Sequence, residues 1–207
     1  MTASNETRGR FVKEAVRSCL EHRFDGIDLD WEHPAGAAEQ QNYSKLLADL
    51  NAAFREHGLS LSVTMASWQH LPPAAFQHVD AVQIMSYDHG GRHSTIENSE
   101  RDIQSLMKMG VPSQKLILGV PFYGRGVKDG GRTLTYAEIV RKHAPGPADD
   151  EVDGLYFNGP QTIERKVKLA ETAKLGGVMI WELGQDAPGE ASLLRVIRRA
   201  VPAASSP

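Results

Sequence analysis

Apolar positions recur along this chain with two periods, and the periods take turns. Phe11, Ala15, Val16, Cys19 and Leu20 fall at helical spacing and predict a helix over 9–22. Over 24–34, FDGIDLDWEHP, the period changes to two, with Ile27, Leu29 and Trp31 alternating with Asp28, Asp30 and Glu32, as in a strand. The pattern then predicts a helix over 43–58 stopped by Gly58, a strand over 59–66, a strand over 79–88 and a helix over 96–110. An apolar strand over 115–124 is followed by one long connection, 125–158, with a helical piece near 135–143. A helix over 159–177, a strand over 177–182 and a helix over 189–200 complete the series before the tail at 201–207. There is no internal repeat and no low-complexity linker.

Helices alternating with near-continuous apolar strands point to a parallel sheet covered by helices. An open doubly wound sheet and a (β/α)8 barrel both satisfy that pattern, and the acidic row separates them. Asp28, Asp30 and Glu32 share one face of their strand, with successive Cα atoms about 6.6 Å apart. Ile27, Leu29 and Trp31 take the other face, the helix-covered side of an α/β protein. The acids then face an interior, and a barrel has one that opens as a polar cavity at the carboxyl ends of its strands. The fold expected is therefore α/β of the (β/α)8 TIM-barrel type.

Composition changes this picture only by exclusion. The chain of 207 residues is 41% hydrophobic and 24% charged, enough apolar content for a substantial core. Its formal net charge of −3 argues against nucleic acid or an anionic membrane as natural partner. Cys19 is the single cysteine, so an internal disulfide is excluded, and it falls in a helix's apolar pattern. The first residues, MTASNETRGRF, lack the apolar core of a signal peptide, and no stretch reaches transmembrane length.

Three carboxylates on one strand face repel each other, and burial and like charge both raise their pKa values. Such a row fits a metal site or acid–base chemistry better than a structural role. Hard cations draw oxygen ligands from several elements, and His33, the nearest other ligand, falls on the opposite parity. Acid–base work fits better: Asp28 and Asp30 share a proton while Glu32, at the strand end, keeps one to donate. Neither a metal nor a cofactor is expected.

Asp25-Gly26-Ile27-Asp28-Leu29-Asp30-Trp31-Glu32 resembles the D-G-x-D-x-D-W-E signature of glycoside hydrolase family 18, the chitinases and their relatives. The resemblance implies that Glu32 protonates the glycosidic oxygen while the substrate's own 2-acetamido carbonyl attacks C1. It also implies that Asp30 holds the acetamido nitrogen and that Asp28 exchanges a proton with Asp30. MSYD resembles the family's M-x-Y-D, which suggests Tyr87 as a donor to the acetamido oxygen, Asp88 at the sugar's rim and Met85 on the face of Tyr87. GVPFYGRG is similar to the family's seventh strand, suggesting Tyr123 and Arg125 as sugar contacts. GGVMIWELGQD is similar to the eighth, with Trp181 as the flat floor under a sugar and Met179 on its side. Trp68 is a further stacking candidate; Glu182 receives no role.

The resemblance runs from about residue 9 to residue 200 and implies strands four to eight of the barrel, without the first three βα units. The expected organisation is one partial TIM-barrel domain over 1–207, with a core at 9–200, a long loop insertion at 125–158 and a flexible tail at 201–207. The implied activity is a retaining, substrate-assisted chitinase acting on β-1,4-linked N-acetylglucosamine polymers. The alternatives are an endo-β-N-acetylglucosaminidase of the same family and a non-catalytic chitin-binding protein. Chitin or its oligosaccharides are the expected partners, with self-association through exposed strand edges. The connection at 124–158 is read as too short for the extra α+β domain of many relatives, which favours a shallow cleft and endo cleavage. The family is commonly secreted, whereas the residues read here carry no export signal.

Overall fold

The computed structural model describes residues 4–201, so all of the expected tail except Val201 lies outside the described residues. The chain divides into two compact units, one running to Ile84 and including Gln104–Leu116, the other comprising Met85–Ile103 and Ile117 onward.

The first unit starts with α1 (Asn5–His22), which Ser4 caps by accepting from Thr7 N at 3.1 Å. Three parallel strands follow in the order β1 (Gly26–Asp30), β2 (Ser60–Met65) and β3 (Ala81–Ile84), with α2 (Gly36–Arg55) crossing over between the first two. Register pairs Asp28 with Ser62, Asp30 with Thr64, and Thr64 with Gln83. β1 lies so close to its neighbour that a Cβ on Gly26 would stand 2.0 Å from the Ser60 carbonyl oxygen, which explains the glycine of the motif. The core contains Cys19 of α1, Leu47, Leu50 and Phe54 of α2, and Leu61 and Val63 of β2, all buried.

Several boundaries differ from the sequence pattern, two of them at the acidic motif and the helix after it. The strand expected to reach residue 34 ends at Asp30, because the Trp31 carbonyl accepts from Gln69 Nε2 at 3.1 Å and Pro34 has no N–H to offer a ladder. Helix α2 begins at Gly36 rather than 43, about two turns earlier, since Glu39 reaches back to accept from Ala35 N at 2.7 Å and supports its N-terminus.

The second unit contains α3's first turns (α3 spans Ile96–Lys108) and a parallel pair, β4 (Leu116–Pro121) with β9 (Gly177–Trp181). The strand expected over 115–124 is two strands. At Phe122 the chain leaves the parallel pair and enters a four-stranded antiparallel sheet in the order β6 (Thr133–Thr135), β5 (Tyr123–Gly126), β8 (Leu155–Tyr156) and β7 (Glu151–Val152). The expected long connection is thus largely structured. Its helix α4 (Tyr136–His143) opens with a reciprocal Thr135–Glu138 capping box. Helix α5 (Pro160–Thr172) ends earlier than expected, where Lys174 turns left-handed and Leu175 N closes onto the Ala170 carbonyl at 2.9 Å. Helix α6 (Leu193–Ala200) follows. Val120, Phe122, Ile139, Phe157, Ile163 and Leu193 form the centre of this unit's core.

The chain is α/β. Among the described residues no helix is long and apolar enough to cross a membrane.

Candidate active site

In the first unit, β1 delivers the acids. Alternation puts Ile27, Leu29 and Trp31 towards α2, where Trp31 meets Tyr43 edge-on at 5.3 Å and the Tyr43 hydroxyl donates to the Leu29 carbonyl at 3.0 Å. Asp28 and Asp30 take the other face, as expected, but that face is exposed at both rather than buried.

Asp28 is fixed by three donors on the neighbouring strands. Ser62 Oγ donates at 2.5 Å, Thr64 Oγ1 at 2.6 Å and Gln83 Nε2 at 2.8 Å, so both carboxylate oxygens are engaged. Asp30 has a carboxyl pushed up to about 6. Removal of water is the largest cause, followed by the charges of Glu32 and Asp28 and a hydrogen bond with Glu32; His33 opposes them. A carboxyl whose pKa is raised to about 6 is suited to general acid–base transfer. Glu32 follows the strand's end, half exposed, with His33 Nε2 at 3.9 Å from its Oε2. Trp68, 60% exposed, meets the His33 ring at 4.4 Å.

Ser62, Thr64 and Gln83 are partners of Asp28 that the sequence reading missed. The signal was available: SLSVTM alternates as strictly as the acidic row, and its polar face is the one that meets Asp28.

In the second unit, the candidates gather around Asp88, which holds a left-handed backbone at φ 63°. Its Oδ1 accepts from the Tyr123 hydroxyl at 2.6 Å and from Arg125 Nη1 at 2.8 Å. Arg125 also donates twice to the Gly130 carbonyl, at 2.9 and 2.7 Å, so it is anchored from both sides. The Tyr123 hydroxyl has its pKa raised well above the ordinary phenol, by burial and then by the Asp88 carboxylate that it serves. Tyr87 packs edge-on against Tyr123 at 6.2 Å and points its hydroxyl to Met179 Sδ at 4.0 Å. His93, stacked against Tyr123, is buried and pushed down to about 4, chiefly by that burial. Trp181, at the end of β9, is 52% exposed and offers its ring to solvent, while Met85 is partly buried. Glu182 accepts from Gln185 at 3.1 Å. Among the described residues no cluster of His, Cys, Asp and Glu has the arrangement of a metal site.

Comparison with known proteins gives this arrangement its relatives. The family model described as glycosyl hydrolases family 18 matches residues 1–186. A probable chitinase 2 of Drosophila melanogaster is 33% identical over 188 residues, covering 79% of this chain and 36% of its own length. The crystal structure of a GH18 chitinase from Flavobacterium johnsoniae superposes with a TM-score of 0.84 at 31% identity, covering 94% of this chain and 66% of that one. A class V chitinase mutant from Cycas revoluta, solved in complex with (GlcNAc)3, superposes with a TM-score of 0.85 over 96% of this chain and 74% of its own; at 23% identity it speaks for the fold alone. The chain thus spans less than two thirds of the Drosophila relative's length, and its fold is the (β/α)8-barrel type in part. With its acidic signature inside a match that covers most of its length, the chain belongs to the glycosyl hydrolases family 18.

Proposed function

We propose that this chain carries the acids of a chitinase-type glycoside hydrolase that cleaves β-1,4-linked N-acetylglucosamine polymers with retention and with assistance from the substrate. The observation that carries the reading is Asp28 and Asp30 on one face of β1 with Glu32 just past its end, Asp30 being raised to about 6 beside Glu32. Glu32 donates its proton to the glycosidic oxygen as the bond to C1 breaks. The acetamido carbonyl oxygen of the substrate takes the place at C1, giving an oxazolinium ion that water then opens. Asp30, whose raised pKa lets it take up a proton as pH falls towards about 6, passes that proton to Asp28 and accepts a hydrogen bond from the acetamido N–H as charge develops. Asp28, fixed by Ser62, Thr64 and Gln83, is a partner that need not reorganise during the step.

In the same reading Tyr87 donates to the acetamido oxygen, while Asp88, held by Tyr123 and Arg125, meets the sugar's hydroxyls. Met85 contributes apolar surface and Trp181 offers a stacking face. Chitin oligosaccharides are the proposed ligands, a choice supported by the family match and by the likeness to the Drosophila probable chitinase.

The test is hydrolysis of chitin oligosaccharides by this chain and by Glu32→Gln. The variant keeps shape and loses the transferable proton, so turnover should fall by about 10²-fold or more. Equal turnover by both would overturn the assignment. Binding without turnover by the unaltered chain would favour the chitin-binding alternative. Cello-oligosaccharides, which lack the acetamido group, should not be cut.

A further inference from the structure

Behind Tyr87 and Asp88 runs a buried polar chain that the proposed chemistry does not use. The segment from Ser86 to Ser94 closes on itself: Ser94 Oγ donates to the Ser86 carbonyl at 2.6 Å, and His89 N donates to the His93 carbonyl at 3.1 Å. Two helices and a loop tie its ends down. From α5, the fully buried Lys166 donates through Nζ to the Ser94 carbonyl at 2.9 Å and to Ser94 Oγ at 2.6 Å. Asn158 Nδ2 donates to the same carbonyl at 2.9 Å. From α3, the buried Asp102 accepts from Ser86 Oγ at 2.7 Å and lies 3.0 Å from His89 Nε2, while Ser86 Oγ also meets Ser99 Oγ at 3.0 Å.

A buried amine is a costly way to fill a core. Its proton affinity is pushed down to about 7 by burial, with the charges of Asp102 and Asp150 opposing that fall. An apolar side chain of similar length would pack in the same space without the desolvation cost. What the amine supplies instead is direction: its donors meet two oxygens of one residue, and that residue's hydroxyl meets the backbone directly before Tyr87. Asp88 sits at a φ that side-chain-bearing residues rarely adopt, so its backbone is held by its surroundings rather than by its own preference.

We propose that Lys166, acting through Ser94, and Asp102, acting through Ser86 and His89, are positioning residues that fix both ends of the 86–94 loop and so set where Tyr87 and Asp88 meet the sugar. This inference rests on the reading of Tyr87 and Asp88 as sugar contacts. Neither positioning residue touches substrate. Their effect is on alignment, to which rates respond steeply.

The experiment compares the chain with Lys166→Met, which keeps the length of the side chain and removes its donors. Two measurements are made: amide hydrogen exchange by segment, and binding and hydrolysis of chitin oligosaccharides. Exchange across 86–94 should speed by about tenfold while 160–172 and 116–121 keep their protection, the signature of a local opening. Turnover, or affinity where there is no turnover, should fall by about tenfold. Unchanged exchange across 86–94 overturns the tether, and an equal loss of protection throughout the unit overturns it too, since that is what a simple core residue would give. A loosened loop with unchanged sugar binding and turnover overturns the positioning role and leaves the proposed function standing. If the unaltered chain neither binds nor cuts chitin oligosaccharides, the functional reading is what fails, and the exchange result alone upholds or overturns the tether. Should Lys166→Met not fold, Ser94→Ala removes the hydroxyl shared by Lys166 and Ser86 and is expected to loosen the same segment; full protection there overturns the proposal.

Discussion

Asp30 shows how a single residue can trade stability for chemistry. Its folded pKa of about 6 lies above the ordinary carboxylate range, so the folded chain takes up this proton before the unfolded chain does. Its contribution to stability is therefore complete below about pH 4 and is lost as pH rises through about 6. Asn cannot ionise, so Asp30→Asn should melt above the unaltered chain at pH 7.5, with the gap closing by pH 4. Melting curves at the two pH values check this, and a gap independent of pH would refute it. The identity of such residues was legible in the sequence because strand alternation aligns Asp28 and Asp30 whatever surrounds them, with Glu32 two residues on. Their partners were not. A lone Ser, Thr or Gln on a strand is common, and only the register that sets Ser62 opposite Asp28 gives it a task. Arg125 and Tyr123 were likewise visible as residue types, while their convergence on Asp88 depends on the antiparallel turn-back of β5, which has no sequence period of its own.

At the scale of elements, the long periodic segments were readable and the short ones were not. Helix α2 carries five apolar side chains into the core and could be seen from spacing alone. β7 and β8 have two residues each, too few to display a period of two, so no pattern in the sequence marks this part of the antiparallel sheet. The close approach of β1 to β2 gives a sharp expectation. Gly26→Ala sets a methyl against the Ser60 carbonyl, backbone that cannot swing aside, and should destabilise the fold by about 1–3 kcal/mol or more. Tyr43→Phe removes the bond from α2 to the Leu29 carbonyl and should cost about 1 kcal/mol, with the Trp31 contact retained. Urea unfolding of both variants checks the order: a glycine variant as stable as the unaltered chain would mean that β1 and β2 sit farther apart than described.

At the scale of the whole molecule, the edge of β1 is where we expect copies of the described chain to meet. Among the described residues β1 ladders with β2 and with no further strand. Close by in the chain, Leu20 is 51% and Phe24 55% exposed, an apolar pair next to a strand edge that no other described strand pairs with. That combination favours pairing between copies, which we expect as a sedimenting mass that rises with concentration in the micromolar range. The acids of the same strand work against it. Two β1 edges brought together set Asp28 and Asp30 of one copy beside those of the other, and like charges across a strand pair are destabilising. Protonation of Asp30 relieves part of that repulsion, so association should strengthen as pH falls from 7.5 to 5.5, and added salt, by screening, should act in the same direction at pH 7.5. Phe24→Glu removes exposed apolar surface and adds a further negative charge at the edge, so it should weaken association without loss of fold. A single monomeric species across these conditions would show that the acidic edge suffices to keep copies apart; association that weakens as pH falls would mean that another surface mediates it.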